Sequence, residues 1–65
     1  MRLRVNGVPK EIAAVSLSEA LDELGFRDSV VATAVNEDFV PANARAGTRL
    51  NEDDRIEIIA PMQGG

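Results

Sequence analysis

Only one stretch of this chain has a clear helical period, and it is too short to stand alone. In Ser16–Gly25, Leu17, Ala20, Leu21 and Leu24 fall at i, i+3, i+4 and i+7 and form a single apolar stripe. Ser16 and Glu19 have capping-box spacing, in which each side chain satisfies an orphan amide of the first turn. Gly25 sits where a left-handed residue would end the helix. Glu19, Asp22 and Glu23 are expected to face solvent. Isolated helices shorter than about 12–15 residues are marginal in water, so the stripe must be buried against a sheet built from the rest of the chain. The expected class is α+β.

The flanking segments supply that sheet. Arg2-Leu3-Arg4-Val5 alternates polar and apolar as a half-buried strand does. Asn6-Gly7 follows as a hairpin signal, because both central residues of a type I′ turn need positive φ. Val8 to Ala14 reads as the return strand, with Val8 and Ile12 on one side. Pro9 cannot donate to a ladder, which puts this strand at an edge. After the helix, Val30 to Val35 is rich in β-branched residues and reads as a buried strand. Asn36-Glu37-Asp38 turns the chain, and Phe39-Val40 begins a short strand that Pro41 cuts off. Residues 42–54 read as polar and irregular, with Leu50 as a core plug. In the final strand, Arg55 to Ala60, Ile56, Ile58 and Ala60 point one way and Arg55, Glu57 and Ile59 the other. The order β-β-α-β-β-β predicts a mixed sheet of four to five strands crossed by one main helix, with the first and last strands central and parallel. That is the β-grasp, or ubiquitin-like, arrangement. The expected division is a β-grasp domain over 1–60 and an extended, flexible tail over 61–65 ending in Gly64-Gly65.

Composition narrows the chemistry. The 65 residues include no Cys and no His, which excludes disulfides, thiolate or imidazole metal sites, a Cys nucleophile and a His base. A domain this small buries only about 60% of its unfolded surface, so its stability is expected to be modest. Seven basic against eleven acidic residues give a formal charge of −4, which disfavours nucleic acid and suits a basic partner surface. Phe26 and Phe39 are the only aromatics, too few for a base-stacking platform. Met1-Arg2-Leu3-Arg4 runs straight into turn residues without an apolar signal core, and no apolar run approaches the roughly 20 residues of a bilayer span. The reading is a soluble, cytoplasmic protein.

Side chains offer little catalysis. Glu52-Asp53-Asp54 could attract a hard cation but lacks the further oxygen ligands and glycine spacing of a calcium loop, so it reads as a solvated turn. Ser16, Ser18, Ser29, Thr33 and Thr48 have no base to activate them. Gly7, Gly25 and Gly47 are scattered turn and cap positions and form no phosphate-binding pattern.

The remaining candidate is the end of the sequence, Pro61-Met62-Gln63-Gly64-Gly65. Two residues without side chains in front of an α-carboxylate form a thin peptide that fits a narrow active site. A carboxylate is a poor electrophile and must be activated, normally as an acyl-adenylate made from ATP. A sulfur or nitrogen nucleophile then displaces AMP. The absence of Cys suits this scheme, since no internal thiol can attack the activated acyl group.

Several motifs in this order resemble the ubiquitin-like sulfur carrier proteins, and most of all those of thiamine (thiazole) biosynthesis. They are Arg2-Leu3-Arg4-Val5-Asn6-Gly7, Leu21-Asp22-Glu23-Leu24-Gly25, Val35-Asn36 through Phe39-Val40-Pro41, Leu50, and Asp54-Arg55-Ile56-Glu57-Ile58-Ile59 running into the Gly-Gly end. The resemblance covers essentially the whole chain. It implies a carrier without catalysis of its own and without a bound cofactor. An ubiquitin-activating-like adenylyltransferase would use ATP to adenylate Gly65. A persulfide donor, fed by a cysteine desulfurase, would convert Gly65 to a thiocarboxylate, and thiazole synthase would consume the sulfur. Gly64, Gln63 and Met62 would enter the partner's active site with it. The free protein is expected to be a monomer.

Two departures from the family pattern stand out. Asp53-Asp54 replaces the usual Gly-Asp before the last strand, and Ala42 replaces an Arg that often follows Val-Pro, with Arg45 nearby. If that Arg docks a partner, partner identity is affected. Phe39 and Ile59 are candidates for an exposed docking patch beside the tail; alternatively, Phe39 fills the core and Ile59 is an isolated surface residue. Alternative functions on the same fold are a carrier like the small subunit of molybdopterin synthase, or a protein modifier joined through Gly65 to lysines. A plain binding module is the reading from another class.

Overall fold

The computed structural model describes residues 1–60. It contains strands β1 (Arg2–Val5), β2 (Val8–Glu11), β3 (Ala32–Val35), β4 (Asp38–Val40) and β5 (Arg55–Ile59), with one α-helix, α1 (Leu17–Glu23), after β2. The five strands form one sheet in the order β2-β1-β5-β3-β4. The first and last strands are central and parallel, through Arg4↔Arg55 and Val5↔Ile56. The other pairings are antiparallel. The Pro9 strand lies at an edge, as its missing donor requires.

Strand alternation divides the sheet into two faces. Leu3, Val5, Val40, Ile56 and Ile58 turn inward and join Leu17, Ala20 and Leu21 of α1, with Ile12 and Leu50, in one apolar core. The α1 stripe is therefore buried as its spacing predicts, with Leu24 half-buried at its end. Gly25 takes φ +92°, a backbone angle that suits glycine. The opposite sheet face carries no helix among the described residues.

The local sequence explains most of the turns. Asn6-Gly7 links β1 and β2 with φ of +51° and +82°, the two-residue geometry that matches strand twist. Asn36-Glu37 does the same for β3 and β4 with φ of +51° and +76°. Ser16 caps α1 by accepting from the Glu19 amide at 3.2 Å. The return half of the capping box differs from expectation. The Ser16 hydroxyl donates to the Glu19 carboxylate at 3.2 Å, so that carboxylate meets the side chain of Ser16 instead of its amide.

Four further expectations are corrected. First, β2 stops at Glu11 instead of Ala14, because the Ala13 and Ala14 amides donate to the Glu23 carboxylate at 3.0–3.1 Å. Val8 pairs with the inward-facing Val5 and so lies on the same side as Ile12, as expected, but at the sheet edge it stays exposed while Ile12 is buried. Second, the Val30–Val35 run is not a buried strand throughout. Only Ala32–Val35 joins the sheet, Thr33 alone is buried, and Val30 is 80% exposed. Third, residues 42–54 are not irregular throughout, since Ala42–Gly47 forms a 3-10 helix. Arg45 ties that helix to the sheet by donating to Thr33 Oγ1 at 3.0 Å and to the Val31 carbonyl. Fourth, Ala60 lies beyond the end of β5.

Candidate functional site

The Gly-Gly peptide follows β5, the central strand, so the site is built around the end of that strand. Met62, Gln63, Gly64 and Gly65 lie outside the described residues. The structure does describe their point of departure. β5 is held on one side by β3, with Thr33↔Ile58 and Ala32↔Ile59 in register. On its other side, the β1 backbone turns away at Asn6-Gly7 after pairing Val5 with Ile56. The Asn6 side chain takes over there. Its Nδ2 donates to the Ile58 carbonyl at 3.1 Å, and its Oδ1 accepts from the Ile58 amide at 2.8 Å. Asn36, at the same position of the other hairpin, secures the start of β5: its Oδ1 accepts from the Arg55 amide at 3.0 Å.

Phe39 and Ile59 are both exposed, at 69% and 65%, and both lie on the helix-free sheet face. The reading of Phe39 as core filler is excluded. Ile59 faces Ala32 and Phe39 faces Ala34 across the strands, so small residues lie between them on β3. Val30 and Ala32 complete a shallow apolar groove with Ile59 at the tail end of β5. Sequence reading missed Val30, although it has the same period-2 phase as Ala32 and Ala34, the outward-facing positions of β3.

At the other end of this face the character is charged, with both signs present. Arg4 and Arg55 stand opposite each other on adjacent strands, with Glu37 3.8 Å from the Arg55 guanidinium. The face nearest the tail therefore combines an apolar end with a mixed-charge end.

The other candidates resolve into structure. Glu52 accepts from the Arg2 amide at 2.9 Å, and Asp54 accepts from the Asn51 amide at 2.8 Å and from Asn36 Nδ2 at 3.0 Å. This acidic run thus builds the turn into β5, with Asp54 buried instead of solvated. Among the described residues no group of three His, Cys, Asp or Glu side chains could hold a metal, and no helix is long and apolar enough to cross a membrane.

A mixed five-stranded sheet with parallel central strands, one helix on one face and a Gly-Gly peptide following the central strand defines a ubiquitin-like β-grasp domain. The comparisons with known proteins agree. The family model described as the ThiS family matches residues 3–65. The sulfur carrier protein ThiS of Thermus thermophilus is 33% identical over 61 residues, covering 94% of this chain and 95% of that protein. A thiazole synthase of Paramagnetospirillum magneticum is 36% identical over 66 residues; the match takes in 100% of this chain but spans only 20% of that protein. The crystal structure of the thiamine biosynthesis protein ThiS from Geobacter metallireducens superposes with a TM-score of 0.84 at 26% identity, with both chains fully covered. The chain belongs to the ThiS family.

Proposed function

We propose that this protein is the sulfur carrier of thiamine biosynthesis, and that the Gly65 carboxylate is the group that carries sulfur. The observation that carries this reading is the ThiS family match, which extends through Gly64-Gly65 to residue 65. The similarity to a Thermus protein named as a sulfur carrier, over nearly the whole of both chains, supports it. The lack of any Cys or His supports a carrier that leaves the chemistry to its partners.

In the proposed cycle an ubiquitin-activating-like adenylyltransferase joins the Gly65 carboxylate to AMP and releases pyrophosphate from ATP. The terminal sulfur of a persulfide, supplied through a cysteine desulfurase, attacks the acyl carbon and displaces AMP. A second thiol then cleaves the resulting acyl disulfide, leaving a thiocarboxylate on Gly65 and a disulfide on the donor. Thiazole synthase takes the sulfur for the thiazole ring. The partial match to a thiazole synthase supports that pairing, since a segment similar to this chain occurs within that single polypeptide. Gly64, Gln63 and Met62 enter the partner's active site, while Phe39 and Ile59, with Val30 and Ala32, dock on its surface. ATP and persulfide act only through the partners, and the carrier works as a cytoplasmic monomer.

Incubation of the protein with its activating enzyme, ATP and a persulfide donor tests this reading by intact mass. Exchange of one carboxyl oxygen for sulfur is expected. Lysine-linked conjugates instead would indicate a protein modifier, and an unchanged mass would remove the carrier reading.

A further inference from the structure

The Asn6 side chain does more than turn the hairpin. Its main-chain amide donates to the Ile56 carbonyl at 2.9 Å, and its carboxamide bonds both the amide and the carbonyl of Ile58. A carboxamide offers one donor and one acceptor side by side, as a backbone peptide does. Asn6 therefore extends the β1–β5 ladder by one more pair after the β1 backbone has turned away. Ile58 is buried, and its peptide groups would otherwise have no partner on the β1 side. An unpaired buried peptide group is costly, so loss of the carboxamide favours peeling of β5 from its end.

We infer that Asn6 is a positioning residue for acyl transfer at Gly65, an inference that rests on the sulfur-carrier reading. By holding Ile58 in register, Asn6 fixes where β5 ends relative to the Phe39–Ile59 face. A body docked through that face then presents its tail from one point and in one direction. Release of Ile58 frees the strand end, and each freed residue adds up to about 3.3 Å of slack. Misplacement of a reacting group by about 1 Å can cost up to 100-fold in rate. The body still docks, but fewer docked molecules hold Gly65 where the reaction occurs.

The test compares Asn6→Gly with Asn36→Gly in the full chain. Each variant removes a carboxamide that bonds β5 while leaving a residue that tolerates positive φ. Asn36 secures the far end of the strand, so it controls for lost hydrogen bonding alone. Asn6→Asp is a second variant that keeps the acceptor for the Ile58 amide and sets a carboxylate against the Ile58 carbonyl. The readouts are amide hydrogen exchange at Ile58 and Arg55, and kcat and KM for ATP-dependent pyrophosphate exchange with the activating enzyme. For Asn6→Gly, Ile58 should lose protection and kcat should fall roughly tenfold with KM near wild type. Asn6→Asp should move in the same direction. Asn36→Gly should deprotect Arg55 and leave kcat unchanged. Equal kcat losses in the two glycine variants, or a wild-type kcat in Asn6→Gly, would overturn the positioning role while leaving the carrier reading intact. A wild-type chain that supports no exchange at all would overturn both.

Discussion

Arg45 Nε donates to Thr33 Oγ1 at 3.0 Å, and Thr33 in turn donates to the Val40 carbonyl at 2.8 Å. With the Arg45 bond to the Val31 carbonyl, this chain joins the 3-10 helix Ala42–Gly47 to both β3 and β4. The guanidinium closest in sequence to the family's usual Arg position is thus committed to the inside of the fold. Arg45→Met should cost about 1.5–3 kcal/mol, as expected for a hydrogen-bonded charged group whose partners are left unpaired. Arg45→Lys should recover only part of this, because an ammonium cannot reproduce the guanidinium fork. Urea unfolding of the three proteins measures both differences.

The core of α1 gives a second prediction. Leu17 is fully buried and Leu21 nearly so, both within the single core cluster. Leu17→Ala or Leu21→Ala should each cost about 2–5 kcal/mol, a large share of the 5–15 kcal/mol that typical domains possess. With no disulfide to fall back on, either change should lower the melting temperature markedly, as thermal circular dichroism would report. An unchanged melting curve would mean that the helix is not held by this stripe.

The open face should separate docking from folding. Phe39→Asp and Ile59→Asp alter exposed side chains, so each should leave the melting temperature within a few degrees of wild type. Both should raise KM for the activating enzyme, since a charge within an apolar contact is left poorly solvated. Ser18→Asp, on the helix side of the molecule, should leave KM unchanged.

Local chemistry made much of this fold readable. Asn6-Gly7, Ser16 with Glu19, Pro9 and the Leu17–Leu24 stripe each signal their structure within a few residues. The alternation of Arg2–Val5 and Arg55–Ile59 marked the two central strands. What escaped notice depends on distant partners. The Glu23 carboxylate ends β2 by taking two amides about ten positions away, and nothing near Ala13 announces it. Asn6 reaches a residue 52 positions on, so the sequence around it speaks only of the turn. Val30 was misread because β-branched composition reports a preference for strand but not how many residues find a partner. At the site, Phe39 and Ile59 were legible as a pair, while Val30 needed the β3 register to join them.

Deletion of Gly65 separates the body from its chemistry. Terminal residues contribute little packing, so thermal unfolding should be nearly unchanged. Sulfur transfer and support of thiamine synthesis in a carrier-deficient host should disappear.

The most direct measurement is the intact mass of the full chain after reaction with its activating enzyme, ATP and a persulfide donor. Replacement of one oxygen by sulfur is expected, located by fragmentation on Gly65 and absent without ATP. A mass that stays unmodified, or sulfur found on any residue other than Gly65, would contradict the carrier reading.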